Sequence, residues 1–201
     1  MQKQGYSIKR LFFKTLFLAV LIIGSSCENN NPHALIITET GTIEIELYID
    51  KAPVTVSNFM QYCIDGRYKN ASFYRSVRGD NQPNSEIKIE ILQGGLKEDN
   101  HPNMLRPIKH ESTLETGILH SDGTISMARY EPGTATSEFF ICIGDQPELD
   151  FDGKRNPDGQ GFAAFGKVVK GMDAVKKYWQ LPTKEQYLEP PVKILDIILI
   201  D

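Results

Sequence analysis

Strand-forming runs at both ends of the folded part constrain this chain more than any other feature. HALIITETGTIEIELYID, residues 33–50, holds two β-rich runs around Glu39-Thr40-Gly41, and Ile43, Ile45 and Leu47 alternate with Thr42, Glu44 and Glu46. That alternation marks a half-buried strand in a hairpin. At the other end, VKILDIILI (192–200) is a strongly apolar strand. A sheet that closes on itself leaves neither run at a free edge, because it brings the terminal strand beside the first hairpin.

Between the ends lie the short strand candidates SFYRSV, IKIEILQGG, TISMAR, SEFFICIG and FAAFGKVV. Two segments change period. In APVTVSNFMQYCIDG, Val56, Phe59, Met60 and Cys63 stand at i, i+3, i+4 and i+7, with Pro53 suited to a first turn and Gly66 to an end. GMDAVKKYW offers a second helix with Met172, Val175 and Trp179 on one side. Many short strands with two helices predict a mainly β, closed antiparallel barrel. Within SEFFICIG, strand alternation puts Phe139 with Ser137, Ile141 and Ile143 on one face. Phe140 shares the other face with Glu138 and Cys142, so an aromatic ring there sits next to a carboxylate.

The first 26 residues read as a secretory signal (1–26). Lys3, Lys9, Arg10 and Lys14 precede an apolar stretch over 15–24, too short for a spanning helix of about 20 residues. Gly24-Ser25-Ser26-Cys27 resembles a bacterial lipobox, with Gly24 where such boxes usually carry Leu. The expectation is cleavage before Cys27, lipidation of Cys27, a polar tether over 27–33 and one domain over 34–201, anchored on the periplasmic side of the cell envelope; the alternative is a soluble periplasmic protein. Loss of the leader takes Lys plus Arg from 22 to 18 against 26 acids, a net charge of −8. With no basic stripe, nucleic acid is an unsuitable partner. Cys63 and Cys142 read as buried small hydrophobes, although an exported protein permits a disulfide. His33, His101, His110 and His120 lack metal-ligand spacing.

Taken together, FYR (73–75), QGG (93–95), SMAR (126–129), SEFF (137–140), LD (149–150), FG (165–166) and GM (171–172) resemble the cyclophilins in order and context, over residues 35–201. The resemblance implies an eight-stranded antiparallel β-barrel capped by two α-helices and peptidyl-prolyl cis-trans isomerase activity. It implies proline-containing polypeptides as substrates and a monomer, and no metal or cofactor. By that resemblance Arg75, Gln93 and Phe140 are the catalytic set: Arg75 donates to the carbonyl side of the proline, Gln93 binds substrate backbone, and Phe140 lines the proline pocket. Ile91, Leu149 and Phe162 match pocket positions, Ala128 and Arg129 match contacts to the peptide preceding proline, and Glu138 stands where the family has Gln.

The departures raise expectations of their own. Glu90 falls where the family places a pocket Phe, and Glu148 where many members carry the Trp that binds cyclosporin, so weak cyclosporin binding is expected. An ionised Glu138 can only accept, so it is expected to pair with a cation, Arg75 or Arg129, or to favour substrate groups that donate. SVRGDNQPNSEIKIEI after Arg75 is longer than in compact members and suits a lid or specificity element, the alternative being a surface loop without a role, while FDGKRNPDGQG after Asp150 fails as a calcium loop because Lys154 occupies a ligand slot. The alternative to an enzyme assisting envelope protein folding is a non-catalytic module that holds proline segments in a pocket acidified by Glu90 and Glu138.

Overall fold

The computed structural model describes Met1 and residues 31–200. The expected signal, Cys27 and most of the tether lie outside the described residues. In chain order the elements are β1 (His33–Thr38), β2 (Thr42–Leu47), α1 (Pro53–Ile64), β3 (Ser72–Val77), β4 (Ile91–Gly95), α2 (Thr113–Thr116), β5 (Thr124–Met127), β6 (Phe139–Cys142), β7 (Ala163–Lys170), α3 (Met172–Trp179), β8 (Thr183–Lys184) and β9 (Tyr187–Ile200). The sheet runs β1-β2-β7-β5-β6-β4-β3-β9, and β1 also pairs with β9. Ala34 opposite Leu199 and Ile36 opposite Ile197 form that seam, which closes an eight-stranded antiparallel barrel with the terminal strand beside the first hairpin. β8 is a two-residue addition folded onto β9. Among the described residues no helix is long and apolar enough to cross a membrane.

Edge-on aromatic contacts organise the barrel interior around Phe139. Its ring lies 5.7 Å from Phe59, 5.7 Å from Tyr68 and 5.9 Å from Phe73. Phe139 and Ile141 belong to this core, whereas Phe140 and Cys142 belong to a separate cluster with Val77, Ile89, Ile91 and Leu149. The two faces read in SEFFICIG are therefore the inside of the barrel and its outer wall. Cys63 lies in the first cluster and Cys142 in the second, and both are free thiols.

Helix α1 begins at Pro53 without a local side-chain cap. Glu111 supplies the cap from far along the chain: its carboxylate accepts from Val54 N (3.1 Å), Thr55 N (2.8 Å) and Thr55 Oγ1 (2.7 Å). A carboxylate there satisfies orphan amides and complements the positive end of the helix dipole. Helix α3 buries Val175 and Tyr178, with Met172 and Trp179 at its margin. The single-turn α2 is a third helix, closed by a reciprocal capping box between Ser112 and Glu115.

IKIEILQGG is strand only from Ile91 onward. Upstream, side chains replace the ladder partners. Buried Gln82 donates to Ile89 O (2.8 Å) and accepts from Ile89 N (3.3 Å), while Gln146 Oε1 accepts from Glu90 N (3.0 Å). With those backbone groups satisfied by glutamines, residues 87–90 leave the sheet and join the inserted loop.

Candidate active site

Three neighbouring strands carry the site. Arg75 on β3 pairs with Gln93 on β4, and Gln93 pairs with Phe140 on β6. The residues that the resemblance groups together thus form a row across the outer wall. The register slips between Phe73 and Arg75, which leaves Tyr74 as the extra residue of a β-bulge. A bulge bends the strand and re-aims its side chains; here the Tyr74 phenol joins the same row.

A cavity of about 640 Å³ opens over this wall, and all nine site residues expected from the sequence line it. Its apolar part is made by Ile89, Ile91, Phe140, Leu149 and Phe162. Phe140 is only 2% exposed. It is held edge-on to Phe162 at 5.4 Å and stacked on His120 at 5.9 Å. His120 is itself pinned between Asp150 Oδ1 (2.7 Å) and Ser126 Oγ (2.9 Å). His120 and Ser126 are buried, and with the half-buried Asp150 they buttress the Phe140 ring.

The polar part is a continuous chain of hydrogen bonds. Glu138 Oε2 accepts from Tyr74 Oη at 2.5 Å, and Tyr74 Oη accepts from Gln93 Nε2 at 2.7 Å. Gln93 Oε1 accepts from Arg75 Nη1 at 2.9 Å. Gln186 Oε1 completes the chain, accepting from Arg75 Nη2 (2.6 Å) and Nε (3.0 Å). Burial pushes the Arg75 guanidinium pKa down and, reinforced by the Glu138 charge, pushes the Tyr74 phenol well above its usual range. Tyr74 is therefore a neutral donor to Glu138.

Two expectations are corrected here. Among the described residues Glu138 pairs with no cation, neither Arg75 nor Arg129. Besides Tyr74, its carboxylate accepts from Leu96 N (2.8 Å), Lys97 N (3.0 Å) and Ser137 Oγ (2.9 Å), so backbone amides and hydroxyls supply the donors. Arg129 is engaged elsewhere, with Asp158 (2.8 and 2.9 Å) and Gly161 O (2.6 and 2.9 Å), and it lies over the Phe162 ring at 5.2 Å. Glu90 does not enter the cavity: its carboxylate accepts from Gly79 N at 3.3 Å, and Ile89 lines the apolar wall in its place. Ile89 falls on the side of Ile91 and Gln93, two and four residues on, and Glu90 on the other. Of the two acids expected in the pocket of a binding-only module, Glu138 lines the cavity, beside Glu98 and Asp99, and Glu90 does not.

The glycines of QGG are required by close approach. A Cβ at Gly95, where φ is +143°, would stand 2.6 Å from the Glu138 carboxylate, and one at Gly94 would stand 2.8 Å from the Phe73 ring. The sequence reading missed Tyr74, Ile89, Gln186 and Tyr187, all of which contact Arg75 or line the cavity. Tyr74 was within reach, because it lies inside the FYR motif. Gln186 was not, because only the β8–β9 turn carries it to Arg75.

A closed barrel that presents an apolar pocket and a braced guanidinium on its outer wall defines a peptide-binding enzyme class that needs no covalent chemistry. Comparison with known proteins gives the family. The model of the cyclophilin type peptidyl-prolyl cis-trans isomerase/CLD family matches residues 33–198. Peptidyl-prolyl cis-trans isomerase B of Escherichia coli (strain K12) is 35% identical over 163 residues, covering 81% of this chain and 93% of that protein. A peptidyl-prolyl cis-trans isomerase of Acinetobacter baylyi is 37% identical over 168 residues, covering 80% and 81%. The crystal structure of a Cryptosporidium parvum cyclophilin type isomerase has the same fold, with a TM-score of 0.68 at 24% identity over 85% of this chain and 98% of that one. The chain belongs to the cyclophilin-type peptidyl-prolyl cis-trans isomerases.

Proposed function

We propose that this isomerase acts on X–Pro bonds of exported polypeptides, with Arg75 as the group that lowers the barrier and Phe140 as the floor of the proline pocket. The imide C–N bond has partial double-bond character and a rotation barrier of about 18–20 kcal/mol. Ile91, Phe140, Leu149 and Phe162 hold the pyrrolidine ring while the other side of the bond turns. As the bond twists, the lone pair localises on nitrogen and resonance is lost. A cationic donor beside the proline imide and its carbonyl favours that state over the planar one, so catalysis is stronger binding of the twisted form.

The observation that carries this reading is the braced guanidinium at the rim of the apolar pocket. Arg75 bonds Gln93 once and Gln186 twice. A guanidinium has five N–H groups, so two remain for substrate. The test is a protease-coupled isomerisation assay on X-Pro peptides with Arg75→Ala alongside. No acceleration by the wild type rejects the activity of this chain, and equal rates for the two proteins reject the role of Arg75.

The basic leader, the apolar stretch and Cys27 support a second part of the proposal. The mature chain is lipid-anchored at Cys27, works as a monomer on the periplasmic side of the cell envelope, and assists the folding of envelope proteins there. Cys27→Ser is expected to move the protein from the membrane fraction to the soluble one; unchanged partitioning rejects the anchor.

A further inference from the structure

The two inserted segments meet each other beside Arg75. Arg155, from the segment 151–161, donates from Nη1 to Ser85 Oγ and to Ile87 O, both at 2.6 Å. Ser85 Oγ also donates to Ile87 O at 2.6 Å, so the clasp ties residues 85–87 of the long loop to Arg155. Both Nη1 protons are occupied by these bonds. The Nε–Nη2 edge, which can grip a carboxylate through two parallel hydrogen bonds, has no protein acceptor among the described residues. Nor does any described carboxylate lie within 4.0 Å of Arg155. No buried side-chain nitrogen lacks a partner among the described residues, so these free donors face solvent.

Besides the first cavity, Arg155 lines a second one of about 600 Å³. It shares Arg75, Arg155 and Tyr187 with the first cavity and none of Ala128, Tyr130 or Thr134. The groove therefore continues past Arg75, away from the part assigned to the peptide before proline. Asn81, Gln82, Asn84, Ser85 and Gln186 give its wall neutral amides and a hydroxyl; its one carboxylate, Glu185, is exposed at the hairpin turn. Burial, and then the nearby Arg75 cation, disfavour the charged form of Arg155. An anion entering here would favour the charged form and offset the repulsion from Arg75.

We propose that this second cavity selects an acidic residue, Asp or Glu, on the C-terminal side of the substrate proline, held by the Nε–Nη2 edge of Arg155. The direction rests on the isomerase reading of the first cavity, with the preceding residues lying along Ala128. The long loop is then a specificity wall fastened by Arg155.

The test uses amidated peptides containing Ala-Pro, with a single Glu at the first, second or third position after proline and Gln at the same position as the reference. Isomerisation kcat/KM and equilibrium Kd are both read. At one position the wild type is expected to favour Glu over Gln by about fivefold at low salt, and the ratio should fall toward one as salt screens the pair. Arg155→Gln is expected to bring the ratio to about one, and Arg155→Lys to retain part of it. A ratio near one at all three positions in the wild type overturns the proposal. So does a ratio that survives Arg155→Gln, including the case where both peptides weaken alike because Arg155 only braces the loop. If no peptide is isomerised, the catalytic reading fails and the Kd ratio still decides the acidic site.

Discussion

Tyr74 Oη donates to Glu138 Oε2 across 2.5 Å, and the same oxygen accepts from Gln93 Nε2, which makes Glu138 the fixed end of a chain that terminates on Arg75. Glu138 therefore acts on the guanidinium through Tyr74 and Gln93, without touching it. Glu138→Gln places an NH₂ group among donors and removes one acceptor. Isomerisation is expected to slow by roughly three- to tenfold, mainly in kcat, because a neutral, half-satisfied chain holds Arg75 less firmly. Tyr74→Phe should give a loss of similar size. The double variant should be little worse than either single one, since both cut the same chain. A faster Glu138→Gln enzyme, or additive losses, would refute the positioning role.

The Arg75 fork spans two glutamines, Gln93 on β4 and Gln186 in the β8–β9 turn, and only a planar guanidinium can do that while still facing substrate. Arg75→Lys keeps the charge yet loses the fork. Its kcat/KM is expected to fall by roughly 100-fold, the order seen when a preorganised donor is removed. Gln186→Ala should lower kcat by roughly tenfold with a smaller change in KM, and Gln186→Glu, which keeps the acceptor, should restore much of it. Full activity in Gln186→Ala would show that Gln93 alone holds the fork.

Stability should decline in alkali. Burial pushes the Cys63 thiol from 9.0 up to about 12, and Cys142 and the buried phenols Tyr62, Tyr68 and Tyr74 shift in the same direction. A raised folded-state pKa favours the protonated form. Its contribution is complete below the unfolded value of 9.0 and is lost as pH climbs toward about 12. At pH 10 one such thiol costs about 1.4 kcal/mol. Urea midpoints at pH 7, 9 and 10 are expected to fall in that order, and Cys63→Ala/Cys142→Ala should flatten the decline. A midpoint independent of pH over this window would contradict it.

Cyclosporin should bind poorly. Glu148, at the position where many family members carry Trp, accepts from Lys154 N at 2.9 Å and does not line the main cavity. A Kd weaker than about 1 µM by titration is expected. Submicromolar binding would mean that another ring, Phe162 or Tyr187, takes over the contact.

The barrel was legible in the chain because strand period, helix period and punctuation are local signals. Ile43, Ile45 and Leu47 announce a half-buried strand, and Phe139 and Phe140 divide inside from outside by alternation alone. The row Arg75, Gln93 and Phe140 could be named from short motifs, although their spacings of 18 and 47 residues acquire meaning only through the β3–β4–β6 register. What stayed hidden involves partners distant in sequence. Glu111 caps a helix whose own N-terminus offers no cap, and Gln82 and Gln146 end β4 by taking over its backbone bonds. Those bonds hold the segment in which Ile89 lines the pocket wall and Glu90 does not.

Glu138 shows the division most sharply. Its type and its face follow from alternation and are settled before folding. Which donors it meets depends on the bulge at Tyr74 and on the amides after Gly95, and barrel closure brings these within 3.0 Å of its carboxylate. Local period selects the face a side chain occupies, because it depends only on backbone geometry. The partner is chosen by tertiary packing, because a half-buried carboxylate, partly shielded from water, takes the donors that the closed barrel presents.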